Sequence, residues 1–400
     1  MGSNLSGVTI QEAYNLSHPA FELDPFEDSA IYFGREVLLS KVLDYAKMSK
    51  RQQKPLKLVI EGSWGFGKTH TLNHLVVNKY MRELADGVYV FLPDLSGKEN
   101  PFEGFFYYVL RSLLKSGHLR QFSRAVRDRR DLAEVLKKEA GSFVYSAIYG
   151  LTNPELGAMV ERWLTGERLL KSELKDSGLS EQMRTEEARE LLSSLGQFSL
   201  EEKKKMLLLL LDEAHRLQNI TKESPKFHEW STEFKLLLDA HNKLGMVLAM
   251  GEREAPVTLL EMPEDRSRLG YRWETMKMLE DQNLEEFLSK LIRYVRDGWD
   301  IAKDAPNEPT KLIQDFVKQW NESQSEKTDA KFYPFTERAF RRLVDTLKRA
   351  APRDLCKAID DVTSLDEVVR RRIILESDVE RIIAIVRELD KVRRPLKPGP

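Results

Sequence analysis

The sequence predicts an α/β protein, three layers built on a parallel sheet, interrupted by a helical insertion and followed by a C-terminal helical domain. Three observations lead there. Lys57 to Glu61, Lys205 to Leu211 and Gly245 to Met250 are apolar runs without alternation, the pattern of strands buried on both faces. The first run breaks into a glycine-rich turn and then a helical pattern from Lys68 to about Leu84, giving strand, loop, helix. Charged, helix-period sequence fills roughly Ser123 to Ser199 and most of the chain after Leu284.

In chain order, residues 1–29, with Pro19 and Pro25 among scattered acids, read as an extended arm. Tyr32 to Glu36 leads into an amphipathic helix through about Ser49. A second strand, Val88 to Leu92, precedes Pro93 and an aromatic-rich helix around Phe105 to Leu114, which continues the alternation of an α/β sheet. The stretch 123–199 shows small breaks at Gly141, Gly150, Pro154, Gly166 and Gly178 and nothing strand-like. These features divide the chain into an arm at 1–29, a first domain at 30–283, a helical domain at 284–392 with a linker at Ala305 to Pro309, and a basic tail at 393–400.

Composition bounds the chemistry. A chain of 400 residues accommodates one domain of ordinary size plus smaller modules. With 41% hydrophobic and 32% charged residues it is too apolar for a disordered chain. The 63 basic and 64 acidic residues nearly cancel, so no global field recruits nucleic acid or an anionic membrane. The single cysteine, Cys356, excludes an internal disulfide and any multi-cysteine metal site, as in a reducing cytoplasm. No basic segment followed by an apolar stretch opens the chain, and the run Met206 to Leu211 is far too short to span a bilayer. A cytoplasmic protein with no membrane contact is therefore expected.

Gly62-Ser63-Trp64-Gly65-Phe66-Gly67-Lys68-Thr69 matches G-x-x-x-x-G-K-[ST] where the mechanism needs it, after a strand and opening a helix. In this P-loop pattern backbone N–H groups converge on phosphate oxygens, the helix N-terminus adds a favourable dipole, Lys68 reaches the β and γ phosphates of ATP, and the Thr69 hydroxyl binds Mg²⁺. A random chain of this length shows the pattern on the order of one time in a hundred. Asp212 and Glu213 follow the apolar run at 205–211; the aspartate can hold Mg²⁺ and the glutamate can polarise an attacking water. Alone, such an acidic pair is often a solvated strand end, and the P-loop upstream gives it weight. His215 reads as a contact to phosphate or as an ordinary polar helix start.

With these motifs, Phe33-Gly34-Arg35-Glu36, the DEAH at 212–215 and Ala351-Pro352-Arg353-Asp354-Leu355 resemble the AAA+ proteins, P-loop NTPases with a helical lid. The likeness is to the origin-recognition and replication-initiator clade and to the ATPases that select targets for transposons. It covers most of residues 30–390 and implies ATP and Mg²⁺ as cofactors, hydrolysis of ATP, and a homo-oligomer. It implies that Gly34 and Arg35 pack near adenine, that Gly251 or Glu252 takes the sensor 1 position, and that Arg353 is the sensor 2 arginine. In Glu264 to Arg272 it implies an arginine acting in trans on a neighbouring subunit's γ phosphate, with Arg268 and Arg272 as candidates and Arg266 in reserve. Sensor 1 is usually a small polar residue, from which Gly251-Glu252 departs. Arg162 to Glu167 and Gly67 to Thr71, with His70, also resemble initiator-like ATP-binding proteins of phage-defence islands; Trp163 reads equally as packing for a helical insertion.

The implied function is a nucleotide-driven switch that oligomerises and assembles on duplex DNA when ATP is bound and releases after hydrolysis; the alternative is a protein-partnered ATPase of a phage-defence or signalling complex without direct DNA binding. Too few residues follow the lid for a winged-helix reader, so origin recognition alone is not expected. Arg120 to Arg130, Arg370 to Arg372 and Lys391 to Arg394 are the clusters able to contact DNA phosphates, and each reads equally as a solvated face.

Overall fold

The computed structural model describes residues 9–94, 101–174, 177–219, 236–237, 244–251 and 272–393. Five parallel strands, β1 (Lys57–Gly62), β2 (Ala85–Phe91), β3 (Met206–Asp212), β4 (Leu244–Met250) and β5 (Arg272–Met276), lie side by side in the order β2-β3-β4-β1-β5. Every position of β3 and β4 is buried, which is why both read as unbroken apolar runs. Gly245 serves the packing: a Cβ there would meet Met206 Sδ at 2.7 Å, and the Leu56 N–H donates to the same sulfur at 3.3 Å. The expected α/β class holds, with a five-stranded parallel sheet and a helical C-terminal region.

Before and around β1 run α1 (Ile10–Tyr14), α2 (Glu36–Gln52), α3 (Lys68–Val77) and α4 (Lys79–Leu84). The single helix expected from Lys68 to Leu84 is divided at Asn78. Its backbone is extended, and its side chain accepts from the N–H groups of Tyr80 and Met81, both at 3.1 Å. Asparagine is among the strongest N-caps, so it begins a new helix here.

The described residues form two compact bodies. The first, within Leu38–Gly62 and Leu72–Met276, holds the sheet together with α5 (Pro101–Lys115), α6 (His118–Asp128), α7 (Arg130–Glu139), α8 (Gly141–Gly150), α9 (Gly157–Leu164), α10 (Lys171–Leu174) and α11 (Thr185–Lys203). The helices between β2 and β3 pack onto the sheet. Phe105, Phe122, Ile148, Trp163 and Leu191 share one core with Val88, Leu207 and Leu209 of the strands.

The second body, within Met1–Val37, Ser63–Thr71 and Lys277–Pro400, contains α12 (Asp281–Asp297), α13 (Lys311–Ser323), α14 (Glu337–Leu347), α15 (Pro352–Thr363), α16 (Asp366–Arg371) and α17 (Glu376–Arg393). Two short antiparallel pairings interrupt the helices expected here, Leu279–Glu280 with Arg349–Ala350 and Trp299–Asp300 with Ala305–Pro306. Thr310 and Thr336 cap α13 and α14 by accepting from the N–H groups of Ile313 and Ala339. Cys356 is buried, which pushes its thiol up to about 12.

The N-terminal segment differs from the extended arm read in the sequence. Tyr14, Phe21 and Ile31 are buried in the same core as Leu288, Phe340 and Ile359. The Tyr14 hydroxyl donates to the Thr363 carbonyl at 3.2 Å, and the Phe21 N–H donates to Asp360 Oδ1 at 3.3 Å. Isolated aromatics among prolines and acids carry no periodicity, so their burial leaves no pattern to read. No helix among the described residues is long and apolar enough to cross a membrane. Phe21→Ala is expected to cost about 3–5 kcal/mol, as for truncation of a core phenylalanine. Denaturant unfolding checks this, and an unchanged midpoint would mean that the segment contributes nothing to the core.

Candidate functional site

β1 ends at Gly62, and Ser63 to Gly67 turn the chain into α3, which begins at Lys68. The turn needs glycine at Gly65 (φ 82°) and Gly67 (φ 89°), values that side chains rarely tolerate. The Ser63 carbonyl accepts from the Phe66 N–H at 3.3 Å and from Lys68 Nζ at 3.2 Å. The Gly67 carbonyl accepts from both the N–H and the hydroxyl of Thr71 at 2.9 Å, starting the helical ladder. The first N–H groups of α3, those of Lys68, Thr69 and His70, precede that ladder, at the helix end whose dipole favours an anion.

The segment around Gly34 and Arg35 is fastened to this same helix start. The Tyr32 and Thr71 hydroxyls are 3.0 Å apart, and His70 Nε2 lies 2.5 Å from the Ile31 carbonyl. A carbonyl only accepts, so Nε2 carries the proton. Burial pulls the His70 imidazole below its ordinary value, with the Ile31 contact opposing. Gly34 (φ 76°) turns the chain against Phe287, where a Cβ would meet the ring at 3.1 Å. Burial also pulls the Arg35 guanidinium down, and its Nε and Nη2 have no hydrogen-bond partner among the described residues. A buried cation without acceptors is costly, which suits a place where a ligand supplies them.

Asp212 ends β3 and Glu213 follows it. Parallel pairing of β3 to β4 and β4 to β1 brings the carboxyl ends of these strands to one edge of the sheet, the edge at which β1 ends in Gly62. Asp212 is 2% exposed and accepts from the Tyr89 hydroxyl at 2.8 Å and the Glu213 N–H at 3.0 Å. Burial, then the Asp212 carboxylate, pushes the Tyr89 phenol up, so it stays a donor. Glu213 holds a left-handed backbone (φ 57°), uncommon for a side-chain-bearing residue. Its carboxylate lies 3.4 Å from His215 Nε2 and 3.7 Å from Arg216 Nε. No cluster of three or more His, Cys, Asp or Glu able to hold a metal occurs among the described residues.

Arg353, the second residue of α15, sits on the loop: its N–H donates to the Gly65 carbonyl at 3.4 Å, and its guanidinium carbon is 4.0 Å from the centre of the Trp64 ring. Arg272 opens β5 opposite Leu58, near the amino end of β1, and stacks over Tyr45 at 4.2 Å. Gly251 follows β4 at the carboxyl edge. Glu252, Arg266, Arg268 and Arg394 lie outside the described residues. Trp163 is fully buried in the core. Of the basic cluster in α6 and α7, Arg120 pairs with Glu161, Arg129 with Asp131 and Glu202, and Arg130 with Glu134. Arg371 pairs with Asp378.

No pattern in the sequence marks Tyr32 or Tyr89 as part of the site, or Trp64 as the seat of Arg353. Tyr89 becomes visible only with strand register, which sets Tyr89 opposite Leu210 and Phe91 opposite Asp212.

No protein-family model matches the chain, and no curated protein sequence matches it. Among solved structures, the ORC2 protein of Aeropyrum pernix in its ADPNP-ADP complexes is similar at 13% identity and a TM-score of 0.42, covering 94% of this chain and 74% of that one. The ADP form of the same protein gives 12% identity, a TM-score of 0.42, and 86% and 67% coverage. PCH-2 of C. elegans gives 12% identity, a TM-score of 0.29, and 92% and 72% coverage. Likenesses at this distance bear on neither substrate nor partner.

His70 gives a pH signature. Its folded value lies below its unfolded one, so the unfolded chain takes up the proton more readily. The contribution to stability is therefore full above the ordinary value, about 6.5, and is lost as pH falls from there through the depressed folded value. Between about pH 7 and 5, His70→Asn should lose less stability than the parent in thermal melts, and equal losses would exclude His70 as the titrating group.

Proposed function

We propose that this chain is an ATPase of the AAA+ type, a switch that binds Mg-ATP at residues 62–69 and changes its assembly with hydrolysis. One observation carries this reading: a left-handed glycine turn, followed by Lys68 and Thr69 at the start of α3, leaves the same sheet edge at which Asp212 and Glu213 stand. In this reading, N–H groups of Gly65 to Thr69 and the Lys68 ammonium hold the phosphates. The Thr69 hydroxyl and the Asp212 carboxylate hold Mg²⁺, which when bound neutralises charge on the phosphate oxygens. Gly34, Arg35 and His70 form the wall beside the base, with the orphaned Arg35 donors facing acceptors that a nucleotide brings. Glu213 takes the proton of the attacking water, and Arg353 meets the terminal phosphate. Arg268 is the favoured residue for action on a neighbouring subunit, because Arg272 is engaged with Tyr45 at the other end of its strand.

Two partner classes follow from this switch. Duplex DNA is the first, met through basic side chains. A protein partner is the second, and the carboxylates already paired with Arg120, Arg129 and Arg130 favour it, because each would have to be displaced before those arginines could bind phosphate.

ATP turnover tests both levels. Glu213→Gln should lower turnover by about 10²-fold or more while ATP still binds, the loss expected of a general base. Turnover at the parent rate would remove Glu213 from that role. With Lys68→Ala as the blank, stimulation by duplex DNA that fades with salt supports the DNA partner, and turnover indifferent to DNA supports the protein partner.

A further inference from the structure

Trp64 is an unusual residue for the middle of a phosphate-binding turn. Its side chain is large and apolar, yet it is 62% exposed, so burial does not account for it. The Arg353 guanidinium lies over its indole at 4.0 Å, within cation–π range, and the Arg353 N–H reaches the Gly65 carbonyl next to it. Arg353 in turn occupies a place where a cation is disfavoured. It follows Pro352 in the first turn of α15, where the helix dipole opposes positive charge. Each residue departs from its local preference, and each departure is compensated by the other. Paired departures of this kind are expected where function, not folding, sets the residue.

We propose that Trp64 is a positioning residue: its indole face holds the Arg353 guanidinium above the loop, so that the cation is already in place when the terminal phosphate of ATP arrives. This rests on residues 62–69 being the triphosphate cradle, and adds that ATP and ADP are told apart by the pair rather than by Arg353 alone. A free arginine side chain must surrender rotamer freedom to meet a phosphate, and one already stacked on a ring has surrendered most of it. The requirement is for a π face, not for bulk. Phenylalanine should therefore serve in place of Trp64, and leucine should not.

Equilibrium affinities for ATP and ADP, measured with Mg²⁺ on the full chain, test this. Trp64→Leu should reduce the preference for ATP over ADP about tenfold, the size of one contact to a charged group. Trp64→Phe should keep most of the preference, and Trp64→Leu combined with Arg353→Ala should lose no more than Arg353→Ala alone. Should leucine disturb folding, Trp64→Gln removes the π face with a polar side chain and carries the same expectation. An unchanged preference in the non-aromatic variants, or losses that add in the double variant, would overturn the proposal. Lys68→Ala separates the two levels. If it binds ATP as the parent does, the cradle assignment fails and the positioning role with it; if binding depends on Lys68 while the Trp64 variants keep the parent preference, only the positioning role fails.

Discussion

The parallel pairing of β1 with β4 and of β4 with β3 is the constraint on which the rest depends. These strands have apolar faces on both sides and can be stable only inside a sheet covered by helices. Being parallel, they release the chain at a common edge. At the end of β1 the backbone turns at once into α3 through a loop in which Gly65 and Gly67 are left-handed. At the end of β3 the first residue beyond the apolar run is Asp212, still buried and held by Tyr89. Hydrophobic burial thus determines where the polar chemistry emerges, and the sheet direction determines that it emerges on one side.

In the proposed reading, three residues that depart from local preference stand where the chemistry is placed. Glu213 takes a left-handed backbone that a glycine or asparagine would adopt more readily. Arg35 is a largely desolvated cation with orphaned donors, and Arg353 sits at the wrong end of its helix for its charge. Such costs are small beside the two cores, which extend from Val59 to Met250 in one body and from Ala13 to Val386 in the other. Fold stability of that order is what allows a chain to keep locally unfavourable residues in place.

What was legible in the sequence follows from these same causes. Strands buried on both faces leave unbroken apolar runs, so the sheet could be read, and the chemistry of phosphate binding leaves so few residue choices that 62–69 stood out. Asn78 was readable as a cap but was submerged in a longer helical pattern. The burial of Tyr14 and Phe21 was not readable, because single aromatics spaced irregularly along an acidic, proline-containing stretch have no period. Nor were Tyr32 with Thr71, Tyr89 with Asp212, or Trp64 with Arg353, since each pairing depends on register or on helices brought together from distant parts of the chain.

The most direct measurement is an experimental structure of the chain with Mg²⁺ and a non-hydrolysable ATP analogue. The account predicts phosphate oxygens within hydrogen-bonding distance of the N–H groups of Gly65 to Thr69 and of Lys68 Nζ, with the metal held by the Thr69 hydroxyl and, directly or through water, by Asp212. An analogue bound away from this loop, or a metal with neither residue near it, would contradict it.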